Sequence, residues 1–328
     1  MTSKSNKVKE THVWQHTVPE SYLKRFSDNA GLLNVYDKVT GKIRQDKPAN
    51  VAAGKHFYTF PRNGFVGEVS DEERKAVEHI FAQEIEPRYS DAVEETIQFA
   101  DRADIPERLH EPLVLYLIMQ HLRTATYREH VRQLLQKRGE EWAYSKLEQQ
   151  FPGSDKVLYP TIKPTADRVT VTHNRLLFDR HFLAMHMDVL MNYIWSVGVL
   201  ESGEHFYTSD TPVARTIVDP TGNKFGDNLW GTGLEYALPL DSKHVLLLLE
   251  RTYFGTRFPN TLLYEGQAVH AAPFVTRLNQ AQTANCYRCV FAAVPDMHIA
   301  EALCRDQPHL RKVDRHRIIP FTNSQNGT

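Results

Sequence analysis

Residues 104–137 read DIPERLHEPLVLYLIMQHLRTATYREHVRQLLQK, and no other segment constrains the architecture as strongly. Asp104 stands where an N-cap belongs, and Pro106 fits a first helical turn. From Leu113 to Met119 the run is apolar on every side, so the helix carrying it must lie in the middle of a bundle and not on its surface. The spacing predicts one long helix from about 104 to 137.

Working outward, residues 71–86 place Ala76, Val77, Ile80, Phe81 and Ile85 at helical spacing, with Pro87 ending or interrupting the pattern. A further helix is predicted over 90–100. Upstream, Pro19 opens a short stripe of Tyr22, Leu23 and Phe26. GLLNVYDKVTGKIRQ (31–45) reads as a hairpin, with Leu33 and Val35 alternating with polar neighbours and Thr40-Gly41 as its turn. HFYTF (56–60) reads as another short strand. Downstream, a helix is predicted over 176–193, and then the pattern changes to strand. YIWSVGVL (193–200) and HFYTS (205–209), joined by a Ser202-Gly203 turn, read as a pair, as do LEYALPL (234–240) and HVLLLLE (244–250). YRCVFAAV (287–294) is a late strand, and 219–233 reads as a long loop. A small β element, a central helical block and a C-terminal antiparallel β-rich part make an α+β domain, with no regular βαβ alternation. One domain over 11–320 is predicted, between polar tails at 1–10 and 321–328.

The 328 residues hold 39 Lys or Arg and 40 Asp or Glu, a net charge of -1, with 41% hydrophobic residues and three Cys. Disordered chains, disulfide scaffolds and overtly basic nucleic-acid binders are excluded by those values. The start lacks the apolar core of a secretory signal, and the longest apolar runs, Leu113–Met119 and Val245–Leu249, are far short of a membrane span. No membrane association and a cytoplasmic location are expected. The charge is uneven: residues 1–60 carry ten basic against five acidic residues, and 61–100 carry four against ten. These segments are either solvated faces or a basic surface that meets phosphate.

Several polar residues are candidates for chemistry. His16, just ahead of a helix, suits a general base or a loop hydrogen bond. Gln120, Arg123, Tyr127 and His130 follow steps of three, four and three, which puts them on one face of a continuous helix. A buried Arg123 there needs a carboxylate or a bound anion, whereas Arg128 lies off this face and reads as solvated. Arg123 and His130 form an Arg-x6-His spacing that resembles the motif of the HEPN ribonucleases, although Thr124 departs from that family's pattern. The resemblance implies that Arg would stabilise phosphorane charge and His would transfer a proton to or from RNA, without metal. Asp210, in Thr208-Ser209-Asp210-Thr211-Pro212-Val213, is either a turn residue capping backbone N–H groups or a catalytic carboxylate at a strand end. Cys286-Tyr287-Arg288-Cys289 has no second pair, and His181 and His186 are badly spaced as joint ligands. No phosphate-binding glycine loop or zinc motif occurs, so no cofactor and no metal are predicted.

With these residues in hand, the chain resembles the bacterial domain-of-unknown-function family 4238. The likeness rests on Gln15-His16-x-Val18-Pro19-x-x-Tyr22-Leu23-x-x-Phe26, Leu33-x-Val35-Tyr36-Asp37 with Gly41, Gln120-x-x-Arg123-Thr124-x-x-x-Arg128, and Phe206-x-Thr208-Ser209-Asp210-x-Pro212-Val213. It spans about residues 12–294 and implies a single domain. It also groups His16, Gln120, Arg123 and Asp210 as one possible site. Two functions follow as expectations. One is a hydrolytic effector acting on nucleic acid, RNA above all, with His16, Arg123, His130 and Asp210 catalytic and Gln15, Gln120 and Tyr127 contacting substrate. The other is a non-catalytic module in which the same cluster is structural or senses an anionic small molecule or a protein partner.

Overall fold

Residues 14–62, 70–100, 105–152, 161–200, 203–218, 231–257 and 272–315 are described by a computed structural model of the chain. The expected tails and most of the 219–233 loop lie outside these residues. Strand β1 (Trp14–His16) leads into α1 (Glu20–Leu23), which begins directly after Pro19. The hairpin is present as β2 (Leu33–Asp37) and β3 (Lys42–Asp46). Its turn is held by Asp37 Oδ1, which accepts the Val39 and Thr40 amides, and Gly41 supplies the left-handed φ of 72°. Strand β4 (Ala53–Lys55) pairs antiparallel with β1. HFYTF is not a strand. The ladder stops at Lys55, His56 takes a left-handed φ of 51°, and the following turn drives Tyr58 into the core.

The helical block starts at α2 (Asp71–Arg74), where Ser70 and Glu73 form a reciprocal capping box. It continues through α3 (Ala76–Ile80), a π-helical turn over Phe81–Ile85, and α4 (Glu86–Gln98). Pro87 therefore sits in the first turn of α4, directly after the π-helical turn that interrupts the pattern. Helix α5 (Glu107–Leu122) carries the apolar run, and Leu113, Val114, Tyr116, Leu117, Ile118 and Met119 are all buried. The long helix expected from 104 to 137 is broken. Arg123 ends α5, and Thr124 turns extended (φ -83°, ψ 159°) to accept the Tyr127 amide at 3.2 Å as the N-cap of α6 (Ala125–Gln150). Likewise, two helices, α7 (Ala166–Leu177) and α8 (Arg180–Met191), flank an Asp179 N-cap where one was expected.

The β-rich part holds β5 (Ile194–Val199), β6 (Thr208–Ser209), β7 (Ala214–Ile217), β8 (Leu234–Pro239) and β9 (His244–Leu249). It ends with α9 (Arg251–Arg257), α10 (Ala272–Asn285), β10 (Cys289–Ala292) and α11 (His298–Asp306). The helical patterns of α10 and α11 were not read from the sequence. One antiparallel sheet runs β5-β9-β8-β7 and another β3-β2-β10-β6. The N-terminal hairpin is thus completed by strands from the other end of the chain. HFYTS does not pair with 193–200. Only Thr208 and Ser209 form a strand, and it joins β10. Ahead of it, the Asn279 side chain from α10 accepts from the Tyr207 amide at 2.8 Å and donates to the His205 carbonyl at 2.9 Å, taking the place of a strand partner.

Strand β9 is buried on both faces because its alternate side chains enter two cores. Leu246 and Leu248 join α5 and α1, whereas Val245, Leu247 and Leu249 join Phe274, Val275 and Leu278 of α10. The two ends of the chain are also joined by Tyr22, 3% exposed, whose hydroxyl donates to the Pro239 carbonyl at 2.6 Å and lies 2.8 Å from Thr208 Oγ1. Removing that hydroxyl strands a buried carbonyl, which costs about 1–3 kcal/mol. Tyr22→Phe should lower unfolding free energy by that amount in urea titrations, with an unchanged denaturant slope.

Candidate functional site

Arg123 is the most enclosed charge of the sequence-predicted set, 1% exposed. Its position at the end of α5 aims it away from α6. Nη1 donates to Glu86 Oε1 at 2.9 Å, and Nη2 donates to the His16 carbonyl at 2.7 Å. The Tyr58 hydroxyl donates to the Arg123 carbonyl at 2.6 Å, and the guanidinium lies 4.0 Å from the Phe81 ring centre. Burial opposes the charge. The Tyr58 oxygen and the Glu86 carboxylate outweigh it, so the guanidinium's pKa is raised above the ordinary arginine value. Beside them, Glu78 is pushed up to about 7 by burial, with Glu86 adding to the rise and Arg123 opposing it. Its Oε2 has no hydrogen-bond partner among the described residues.

The neighbouring candidates fasten the same strand. Gln15 Oε1 accepts the Tyr58 amide at 2.6 Å, and Gln120 Nε2 donates to the Thr17 carbonyl at 3.0 Å. His16 contributes its carbonyl to Arg123, while its half-buried ring donates from Nε2 to the Ala49 carbonyl at 3.1 Å. Gln15, His16, Gln120 and Arg123 therefore do converge, as a backbone clamp holding β1 against the end of α5.

Arg128 is not solvated. It stacks 3.5 Å from the Phe57 ring centre and donates from Nε and Nη2 to His173 Nδ1, at 3.1 and 2.9 Å. His173 Nε2 donates in turn to the Leu122 carbonyl at 2.7 Å. Burial, reinforced by the Arg128 charge, holds His173 down at about 3, so it stays neutral. Burial likewise lowers Arg128 to about 10.

Asp210 caps a turn. Its Oδ1 accepts the Tyr287 amide at 2.7 Å, and Oδ2 accepts the Arg288 and Cys289 amides at 2.7 and 2.8 Å. Burial raises its pKa above the ordinary aspartate value, although the three N–H donors and Lys38 pull the other way. It shares no hydrogen-bond partner with Arg123 among the described residues. Among those residues, no three His, Cys, Asp or Glu side chains come together as metal ligands.

Tyr127 and His130 lie elsewhere. The break at Thr124 separates them from Gln120 and Arg123, so the expected single helix face does not exist. Both line a cleft of about 220 Å³ between the start of α6, β7 and the end of α10. Its walls also include His121, Thr126, Thr211, Arg215, Asn285 and Arg315. The Tyr127 ring centre lies 5.5 Å from that of His121 and 5.7 Å from that of His130. The Thr126 and Thr211 hydroxyls meet at 2.6 Å. Asn285 brackets the Arg215 backbone, accepting its N–H at 3.4 Å and donating to its carbonyl at 3.2 Å. Two imidazoles and two guanidiniums thus face one cleft whose described lining carries no carboxylate. Such a set attracts anions and supplies proton donors and acceptors.

Of these residues, His121, Arg215, Asn285 and Arg315 were missed. Thr211 lies inside the Thr-Ser-Asp-Thr-Pro-Val element and Arg215 two residues past its end, so that element pointed to the region but to the wrong side chain. Nothing local marks Arg315.

Cutting Arg123 to methionine leaves the half-buried Glu86 without its cation and the His16 carbonyl without its donor, a loss of about 1–3 kcal/mol. Urea denaturation of Arg123→Met should show a deficit of that size. Glu78 predicts a pH dependence. Its folded pKa of about 7 lies above the ordinary 4.5, so between those values the folded chain holds a proton that the unfolded chain has lost. Stability from this group is therefore lost as pH rises from about 4.5 to about 7. Melting curves across pH 5–8 should show Glu78→Gln gaining on wild type as pH rises, and a constant gap would contradict the assignment.

Residues 14–296 match the family described as "Protein of unknown function (DUF4238)". No curated protein and no solved structure gives a significant match. The match covers most of the chain and includes both the Arg123 clamp and every wall of the cleft except Arg315, and on that basis the chain belongs to the DUF4238 family.

Proposed function

We propose that the cleft holding His121, Tyr127, His130 and Arg215 binds a phosphodiester and that the protein cleaves RNA there without a cofactor. The observation carrying this reading is two imidazoles packed near Tyr127, with guanidinium groups, in a cleft whose described lining carries no carboxylate. One imidazole takes the proton of a ribose 2′-hydroxyl as its oxygen attacks phosphorus. The other protonates the departing 5′-oxygen, leaving a 2′,3′-cyclic phosphate and a free 5′-hydroxyl. Arg215 neutralises charge on the phosphorane oxygens. In this reading His130 and Tyr127 keep the roles the sequence suggested, whereas His16, Arg123 and Asp210 form the frame. The activity is that of a cytoplasmic bacterial effector acting on RNA.

A second reading has its own support. His121 is 5% and His130 8% exposed, and imidazoles so enclosed suit the holding of an anion without turnover. Purified wild type, His121→Gln and His130→Gln would be incubated with total RNA and with a labelled single-stranded oligoribonucleotide. The RNase reading expects cleavage to cyclic-phosphate ends, reduced by about 10²–10⁴ in either variant. Binding without cleavage would favour the sensing reading, and neither binding nor cleavage would refute both.

A further inference from the structure

Arg315 differs from the other walls of the cleft in its origin. His121, Tyr127, His130, Arg215 and Asn285 stand on or beside α5, α6, β7 and α10, within the residues that match the family. Arg315 lies beyond that match, after α11 and the turn Pro308–Arg311. It is nevertheless fixed at two points. Its carbonyl accepts from Gln133 Nε2 at 2.9 Å, and Gln133 Nε2 also donates to Glu129 Oε1 at 2.9 Å, so the backbone is held to α6. Its Nη2 donates to the Ala284 carbonyl. Ala284 adjoins Asn285, the residue that brackets the Arg215 backbone. The Arg315 side chain and the Arg215 backbone, one hundred positions apart, are therefore held by consecutive residues at the end of α10.

We infer that Arg315 is a specificity-determining phosphate clamp: with Arg215 it makes a two-guanidinium reader of successive phosphates that selects single-stranded RNA over a mononucleotide. A single arginine suffices for one phosphate. A second, delivered from a separate segment across the same cleft, extends the contact along a backbone. This rests on the phosphodiester reading above, which it deepens.

The test uses the full chain and a fluorescein-labelled single-stranded oligoribonucleotide, with adenosine monophosphate as competitor, over a range of KCl concentrations. Arg315→Ala should weaken oligoribonucleotide binding about tenfold and reduce the slope of log affinity against log salt by about 0.7, the value of one lost phosphate contact on a single strand. Arg315→Lys should restore the slope and part of the affinity, and mononucleotide binding should change little in either variant. A lowered melting temperature with an unchanged salt slope would mean that Arg315 only caps α10, which overturns the clamp. If binding depends on Arg215 but not on Arg315, the clamp fails while the phosphodiester reading stands. If wild type shows no salt-dependent RNA binding, both fail.

Discussion

One buried guanidinium holds the architecture together. Arg123 lies where α5 ends, and it reaches the carbonyl of an N-terminal strand, a glutamate at the start of α4 and the face of Phe81. A cation this enclosed is tolerable only because each of its nitrogens finds an acceptor and Glu86 supplies the counter-charge. That requirement fixes where β1 lies, and β1 in turn fixes β4 and the turn that carries Tyr58 inward. Glu78 carries the cost of this arrangement, since burial pushes its carboxyl up, with the Glu86 charge adding to the rise and Arg123 opposing it.

The helix break at Thr124 is the structural event that separates frame from site. On one side of it, Gln120 and Arg123 face inward to the clamp. On the other, Tyr127 and His130 turn toward β7 and α10. Arg128 takes a third direction and lies flat on Phe57 against a neutral His173. Polar residues a few positions apart are thus divided among three environments. The near-neutral net charge of -1 conceals this, because it averages over a cleft whose described lining holds two imidazoles and two guanidiniums without a carboxylate.

Much of the fold was legible because local physics determines it. The hairpin follows from alternation and from the conformational freedom of Gly41, and α5 follows from its all-round apolarity. Strands β8 and β9 follow from their apolar runs, and the mixed α+β class follows from the order of these patterns. The N-cap at Thr124 was not legible, because a threonine within a helical pattern also fits the helix interior, and only the Arg123 clamp makes a break favourable there. The pairing of β2 with β10 and of β6 with β10 was also illegible, since alternation marks a strand without naming its partner.

The sequence by itself determined the hairpin, the helical block, strands β5, β8, β9 and β10, the burial of α5 and the presence of unusual polar residues at Gln15, His16, Gln120, Arg123, Tyr127, His130 and Asp210. Tertiary structure alone decided which of these are fasteners and which line a cleft. It brought His121 and His130 together with Arg215 and Arg315 from three separate parts of the chain. Spacing along a helix predicts a shared face only while the helix is unbroken. Whether it breaks depends on long-range hydrogen bonds to β1, which no local pattern of side chains encodes.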